Sequence, residues 1–145
     1  MDQIKKRQEE IIEEFAMLDG DMEMAINYVM DLGNELIQFP EDERKDENLV
    51  KGCQSKVWMV ASLEDGRMQY KADSNTAITK GLASLLVRVL SQSTPEDVIN
   101  AELYFPSQIN MDRFIGTQRS NGFAAMIKQM KLDAVTASAK EENAK

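Results

Sequence analysis

The chain of 145 residues contains one cysteine, Cys53, in the stretch Val50-Lys51-Gly52-Cys53-Gln54-Ser55-Lys56-Val57-Trp58. The thiolate is the reactive form of a cysteine, and nearby cations or backbone N–H groups favour it. Two lysines lie within three residues of Cys53, and Gly52 precedes it. A glycine adopts conformations that let a loop aim its amides at the sulfur. A cysteine so placed can be reactive without a histidine; the plainer alternative is a small, inert hydrophobe. The chain has no histidine at all. That excludes Ser-His-Asp and Cys-His catalysis, His-ligated metals and a His-based pH switch. A single cysteine excludes a disulfide framework within the chain and any multi-cysteine zinc or cluster site.

The elements that must position Cys53 can be read from periodicity. Residues 3–18 carry Ile4, Ile11, Ile12, Phe15 and Leu18 near one helical stripe, and Asp19-Gly20-Asp21 is a stop followed by a restart. A second helix over about 22–32 is carried by Met22, Ile26, Val29 and Leu32 and closed by Gly33. Pro40 to Asn48 reads as a mobile charged loop with nothing apolar to bury. Val57 to Ala61 is β-branched and aromatic, which predicts a largely buried strand. Asp65-Gly66 suits a tight hairpin turn, and residues 67–72 alternate as a half-exposed strand. Ile78, Leu82, Leu85, Leu86, Val89 and Leu90 give the broad apolar face of a central helix. Thr94-Pro95 starts another helix, residues 111–116 form a short one, and Ser120-Asn121-Gly122 opens the last.

This order predicts an α+β fold, a small antiparallel hairpin sheet covered on one side by helices. Residues 1–140 are expected to form a single domain, with 141–145 a disordered tail and apolar periodicity lost from Ala137 onward. The formal charge of −8 lacks the footprint of a nucleic-acid or membrane-surface binder. It is concentrated in residues 1–50, which hold 15 acidic and 5 basic side chains. That acidity suits a solvated helix face, or a docking surface for a basic partner. The N-terminus does not read as a signal peptide and no apolar run is long enough to span a bilayer, so a cytoplasmic location is expected.

Gly52-Cys53-Gln54-Ser55-Lys56-Val57-Trp58 resembles the GCQSxVW signature of the SufE family, sulfur acceptors for cysteine desulfurases. Three more blocks follow in order. Asp73 to Gly81 resembles the family's DSxxAIxKG segment, Thr94 to Val98 its TPxD helix start, and Arg119-Ser120-Asn121-Gly122 its RSxG block. Ala72 stands where a glycine is often found, and the acidic loop 41–47 has no match in the pattern. The resemblance implies a SufE/IscU-like fold and a sulfur carrier, not a free-standing enzyme. Cys53 would take the outer sulfur of a persulfide held by a SufS- or CsdA-like desulfurase and pass it to a SufBCD-like iron–sulfur scaffold, speeding desulfurase turnover. No cofactor or metal is expected on this chain; the desulfurase would carry the PLP. By the same resemblance Arg119 would stabilise the thiolate or persulfide, and Gly52, Gln54 and Asp73 would shape its environment. Asp73 also suits an N-cap of the helix that follows.

The chemistry agrees with the composition. Thiol–persulfide exchange is displacement at sulfur, which needs an accessible thiolate and a leaving group but no metal and no second cysteine. A persulfide must also be shielded, so Cys53 is expected to be partly sheltered, with Gly52 a hinge for the loop. The alternative is an activator that docks on the desulfurase without carrying sulfur.

Overall fold

Helix α1 (Asp2–Ala16) buries Ile4, Gln8, Ile11 and Phe15, one face of a 3.6-residue repeat, in the computed structural model, which describes residues 2–143. The chain turns through Asp19 and Gly20, both at positive φ. Asp21 then caps α2 (Met22–Gly33), its carboxylate accepting from the Met24 N–H at 3.0 Å. The buried face of α2 is Ala25, Val29, Leu32 and Gly33. Met22, expected on that face, is half exposed because the first turn of α2 borders a surface cavity and not the core.

Helix α3 (Ala77–Leu90) is the central helix, and α2 crosses it at backbone distance. A Cβ on Gly81 would lie 2.0 Å from the Val29 carbonyl oxygen, so only glycine permits this crossing.

Strands β1 (Val57–Glu64) and β2 (Arg67–Ser74) pair antiparallel, in register from Val57 with Ser74 to Glu64 with Arg67. Asp65 and Gly66, both at positive φ, make the two-residue turn. β1 is not largely buried. Val57 and Met59 are buried while Trp58 and Val60 are only half so, because helices cover a single face. Met68, Tyr70 and Ala72 of β2 complete that inner face.

The connection from Pro40 to Asn48 departs from the open loop expected. It forms two short 3-10 turns, Glu41–Glu43 and Asp46–Asn48. Charge ties it down where apolar side chains are absent: Arg44 bonds Asp73 across the fold and sits 5.7 Å from the centre of the buried Phe39 ring.

Helix α4 (Pro95–Asn100) starts as expected, with Thr94 Oγ1 accepting from the Asp97 N–H. A one-turn helix, α5 (Phe105–Gln108), has no precedent in the periodicity. The buried Gln8 holds it in place, its side-chain oxygen accepting from the N–H groups of Tyr104 and Phe105 at 2.8 and 3.2 Å.

Helix α6 (Met111–Asn143) is broken at Gly116, with φ 83° and ψ 170°, and resumes at once. Ser120, Asn121 and Gly122 therefore lie inside the resumed helix and do not open it. The helix also continues where fraying was expected, through the first residues of the supposed tail to Asn143. Alanine, glutamate and lysine are good helix formers, and extending an existing helix needs no new nucleus. Residues 144 and 145 lie outside the described residues. The architecture is α+β, with one hydrophobic core running from Ile4 to Ala134.

Candidate functional site

The loop that carries Cys53 is pinned at both ends. At its start the Val50 N–H donates to the Val57 carbonyl at 2.8 Å, closing the loop back on β1. At its end Lys56 is held by the segment after β2. Its N–H donates to Asn75 Oδ1 at 3.0 Å, and its carbonyl accepts from Ser74 Oγ at 2.8 Å and the Asn75 N–H at 3.2 Å. Ser55 Oγ receives the hydroxyls of Thr76 and Thr79 at 3.1 and 3.4 Å.

Between these anchors Gly52 takes φ +96°, and a Cβ there would meet the Ala125 side chain at 3.2 Å. The loop thus lies down on α6. Cys53 faces Gly122, where its S–H donates to the carbonyl at 3.4 Å, and a Cβ on Gly122 would touch the sulfur, also at 3.4 Å. The cysteine is half-buried and free of any disulfide.

A cavity of about 460 Å³ opens beside the sulfur. The loop contributes Cys53, Gln54 and Ser55, and α3 contributes Thr79 and Leu82. The remaining wall is α6 around its break, from Ile115 to Met126. The first turn after the break, Thr117 to Arg119, borders the cavity at the positive end of the resumed helix dipole.

Cys53, Gln54 and Arg119 therefore share one cavity, with Gly52 shaping the loop that brings them there. Desolvation by burial pushes the Cys53 thiol up from its ordinary value, so the resting group is the protonated thiol. Lys51 and Lys56 are exposed. The Arg119 guanidinium donates to the Ile115 carbonyl, one residue before the helix break, at 3.1 Å and not to the sulfur.

Asp73 does not border the cavity and does not cap α3; the N-cap position is Thr76, which makes no side-chain cap bond. Asp73 sits near the end of β2, where register sets it opposite Trp58. It accepts from Arg44 Nε at 2.9 Å and the Ser74 N–H at 2.9 Å, with Lys80 Nζ at 3.6 Å. Burial alone raises its carboxyl, but these bonds and charges outweigh it and hold the group below its ordinary value. Ser55, Asn75 and Thr79 position the loop, and sequence reasoning did not single them out. All three lie within the motif blocks at 52–58 and 73–81, which was the available signal.

Residues 9–134 match the SufE family, described as an Fe–S metabolism associated domain. The chain belongs to the SufE family. Two curated relatives are uncharacterised SufE-like proteins from Rhizobium meliloti (strain 1021) and Rhizobium etli, each 31% identical over 131 residues. That alignment covers 87% of this chain and 93% and 88% of theirs. In fold the chain is similar to the solution structure of a hypothetical protein from Thermus thermophilus, with a TM-score of 0.75. This match covers 92% of this chain and 96% of that one at 19% identity. Membership places this SufE-family protein in iron–sulfur metabolism. Among the described residues no helix is long and apolar enough to cross a membrane, and no acidic or cysteine cluster could hold a metal ion.

Proposed function

We propose that this protein accepts persulfide sulfur on Cys53 from a PLP-dependent cysteine desulfurase and delivers it to an iron–sulfur cluster scaffold in the cytoplasm. The observation that carries the reading is a lone thiol, seated against α6 at the wall of a cavity that Arg119 also borders.

In the first step the Cys53 S–H leaves the Gly122 carbonyl and gives its proton to solvent as the loop lifts from α6. The thiolate attacks the outer sulfur of the donor persulfide. A new S–S bond forms on Cys53, the donor S–S bond breaks, and the electron pair leaves with the donor thiolate. In delivery, an acceptor nucleophile attacks the outer sulfur and Cys53 departs as thiolate. The transferred sulfur keeps its oxidation level, so neither step needs a redox partner.

Burial gives the thiol low reactivity at rest and shelters the persulfide afterwards. Arg119 exchanges the neutral Ile115 carbonyl for the anionic sulfur, a charge-assisted bond stronger than the one given up. Removal of the donor's persulfide frees the desulfurase for its next turnover. Desulfurase turnover with wild-type and Cys53→Ser protein tests the reading. Stimulation is expected to vanish in Cys53→Ser; stimulation that survives would instead make the protein an activator that carries no sulfur.

A further inference from the structure

The two outer edges of the hairpin are treated differently. Along β2, the Met68 N–H donates to the Ser93 carbonyl at 2.7 Å and the Gln92 N–H donates to the Met68 carbonyl at 2.8 Å. The Tyr70 N–H donates to Ser91 Oγ at 2.9 Å, so that edge is closed. Along β1, closure is confined to its start, where the Val50 N–H reaches the Val57 carbonyl and Leu49 bridges Trp58. Backbone groups alternate sides along a strand. Because the Val57 carbonyl points outward, the N–H and C=O of Ala61 and Leu63 point outward too. Beyond Leu49 and Val50, no described residue pairs with this edge.

The open edge faces a groove of about 710 Å³. One wall is β1 from Met59 to Leu63. The other is the C-terminal half of α6, where Gln129, Asp133, Ala137 and Lys140 recur at helical spacing. Leu49, Met59, Leu63 and Met68 supply apolar lining. The charged groups are Glu43, Glu47, Asp133 and Glu141 against Lys140 alone, and Lys45 pairs with Glu47 from outside the groove. Asp133 accepts from Gln129 Nε2 at 2.9 Å, and no described cation pairs with it. Burial pushes its carboxyl up, a cost that an incoming cation would relieve.

We propose that the open β1 edge is a docking slot for an extended, basic segment of a partner protein, which adds as a strand beside Ala61 and Leu63 and sets a Lys or Arg against Asp133. Main-chain bonds give such an addition its affinity, and the alternating side chains give its specificity. The acidic rim selects a cationic strand over a neutral or acidic one. The slot and the Cys53 cavity share no lining residue, so an occupied slot leaves the thiol open. The proposal stands independently of the sulfur-acceptor reading.

The test uses a fluorescein-labelled, capped octapeptide of alternating Lys and Val, read by fluorescence anisotropy and by amide hydrogen exchange on the full chain. The peptide is expected to bind, to slow exchange of the Ala61 and Leu63 amides at least tenfold, and to be replaced by no Glu-Val counterpart. Ala61→Pro removes only an outward N–H, which an edge strand tolerates, and is expected to weaken binding at least tenfold. Asp133→Asn with Glu141→Gln leaves the strand intact and is expected to weaken it several-fold, which keeps the test decisive if the proline variant misfolds. Absence of binding at millimolar peptide, equal binding of the Glu-Val peptide, or binding indifferent to the acidic variants would overturn the proposal. So would protection of the same amides by rising protein concentration alone, since the edge would then pair with a second copy of this chain.

Discussion

Glycines serve two contacts of opposite character in this molecule. At the α2–α3 crossing, a Cβ on Gly81 would sit 2.0 Å from a backbone oxygen, and one on Gly33 would sit 3.0 Å from the Gly81 nitrogen. At the cysteine loop, a Cβ on Gly52 or Gly122 would meet only a methyl at 3.2 Å or the sulfur at 3.4 Å. The first contact interlocks two backbones. The second only seats a loop on a helix, with a slack of tenths of an ångström. The core crossing thus admits no side chain, whereas the loop contact is the one that the proposed sulfur transfer requires to open.

Gly81→Ala tests the interlock and has the largest expected effect. A methyl forced into backbone must push the helices apart, at a cost of about 3 kcal/mol, read as a lower midpoint in chemical denaturation. A loss within a few tenths would show that the crossing has hidden room, and the contrast would fail.

Gly52→Ala comes next, because positive φ strains any other residue by about 1–2 kcal/mol. It should also raise the rate at which iodoacetamide alkylates Cys53, since an unseated loop exposes the thiol. A stability loss with no gain in alkylation would mean that the loop does not control access.

Gly122→Ala should act with the opposite sign. Alanine is a better helix former than glycine by about 1 kcal/mol, and its methyl would make ordinary contact with the sulfur. Stability should rise by under 1 kcal/mol while alkylation slows. Faster alkylation would contradict the geometry.

The smallest effect lies in pH dependence. Burial raises the Cys53 thiol, so the alkylation rate should climb with a midpoint above the ordinary value of about 8.5. Gly52→Ala should return that midpoint towards the ordinary value. The same shift makes the folded protein hold a proton that the unfolded chain has lost. Stability therefore falls as pH rises from the ordinary thiol value towards the folded one, a slope that Cys53→Ser should abolish.

Local repetition made much of this legible in the sequence. The apolar faces of α1 and α3, the Asp65-Gly66 turn and the Thr94-Pro95 helix start are decided within a few residues, and their motifs survive in the fold. Contacts between distant residues were not legible. Arg44 and Asp73 lie 29 positions apart, so a run of charges that looked unattached proved to be anchored. The short α5 depends on Gln8, almost a hundred residues away, and has no periodicity of its own. The break at Gly116 sits in a pattern that alone could not say where the last helix resumes. The Cys53 loop itself was legible, but the burial of its sulfur arises from Gly122, which closes a contact across 69 residues.

The most direct test of the central claim is intact-protein mass spectrometry without reductant, after incubation with a PLP-dependent cysteine desulfurase and L-cysteine. The account predicts a mass gain of one or more sulfur atoms that maps to the Cys53 peptide and is absent from Cys53→Ser. An unmodified Cys53, in a protein shown to bind that desulfurase, would contradict it.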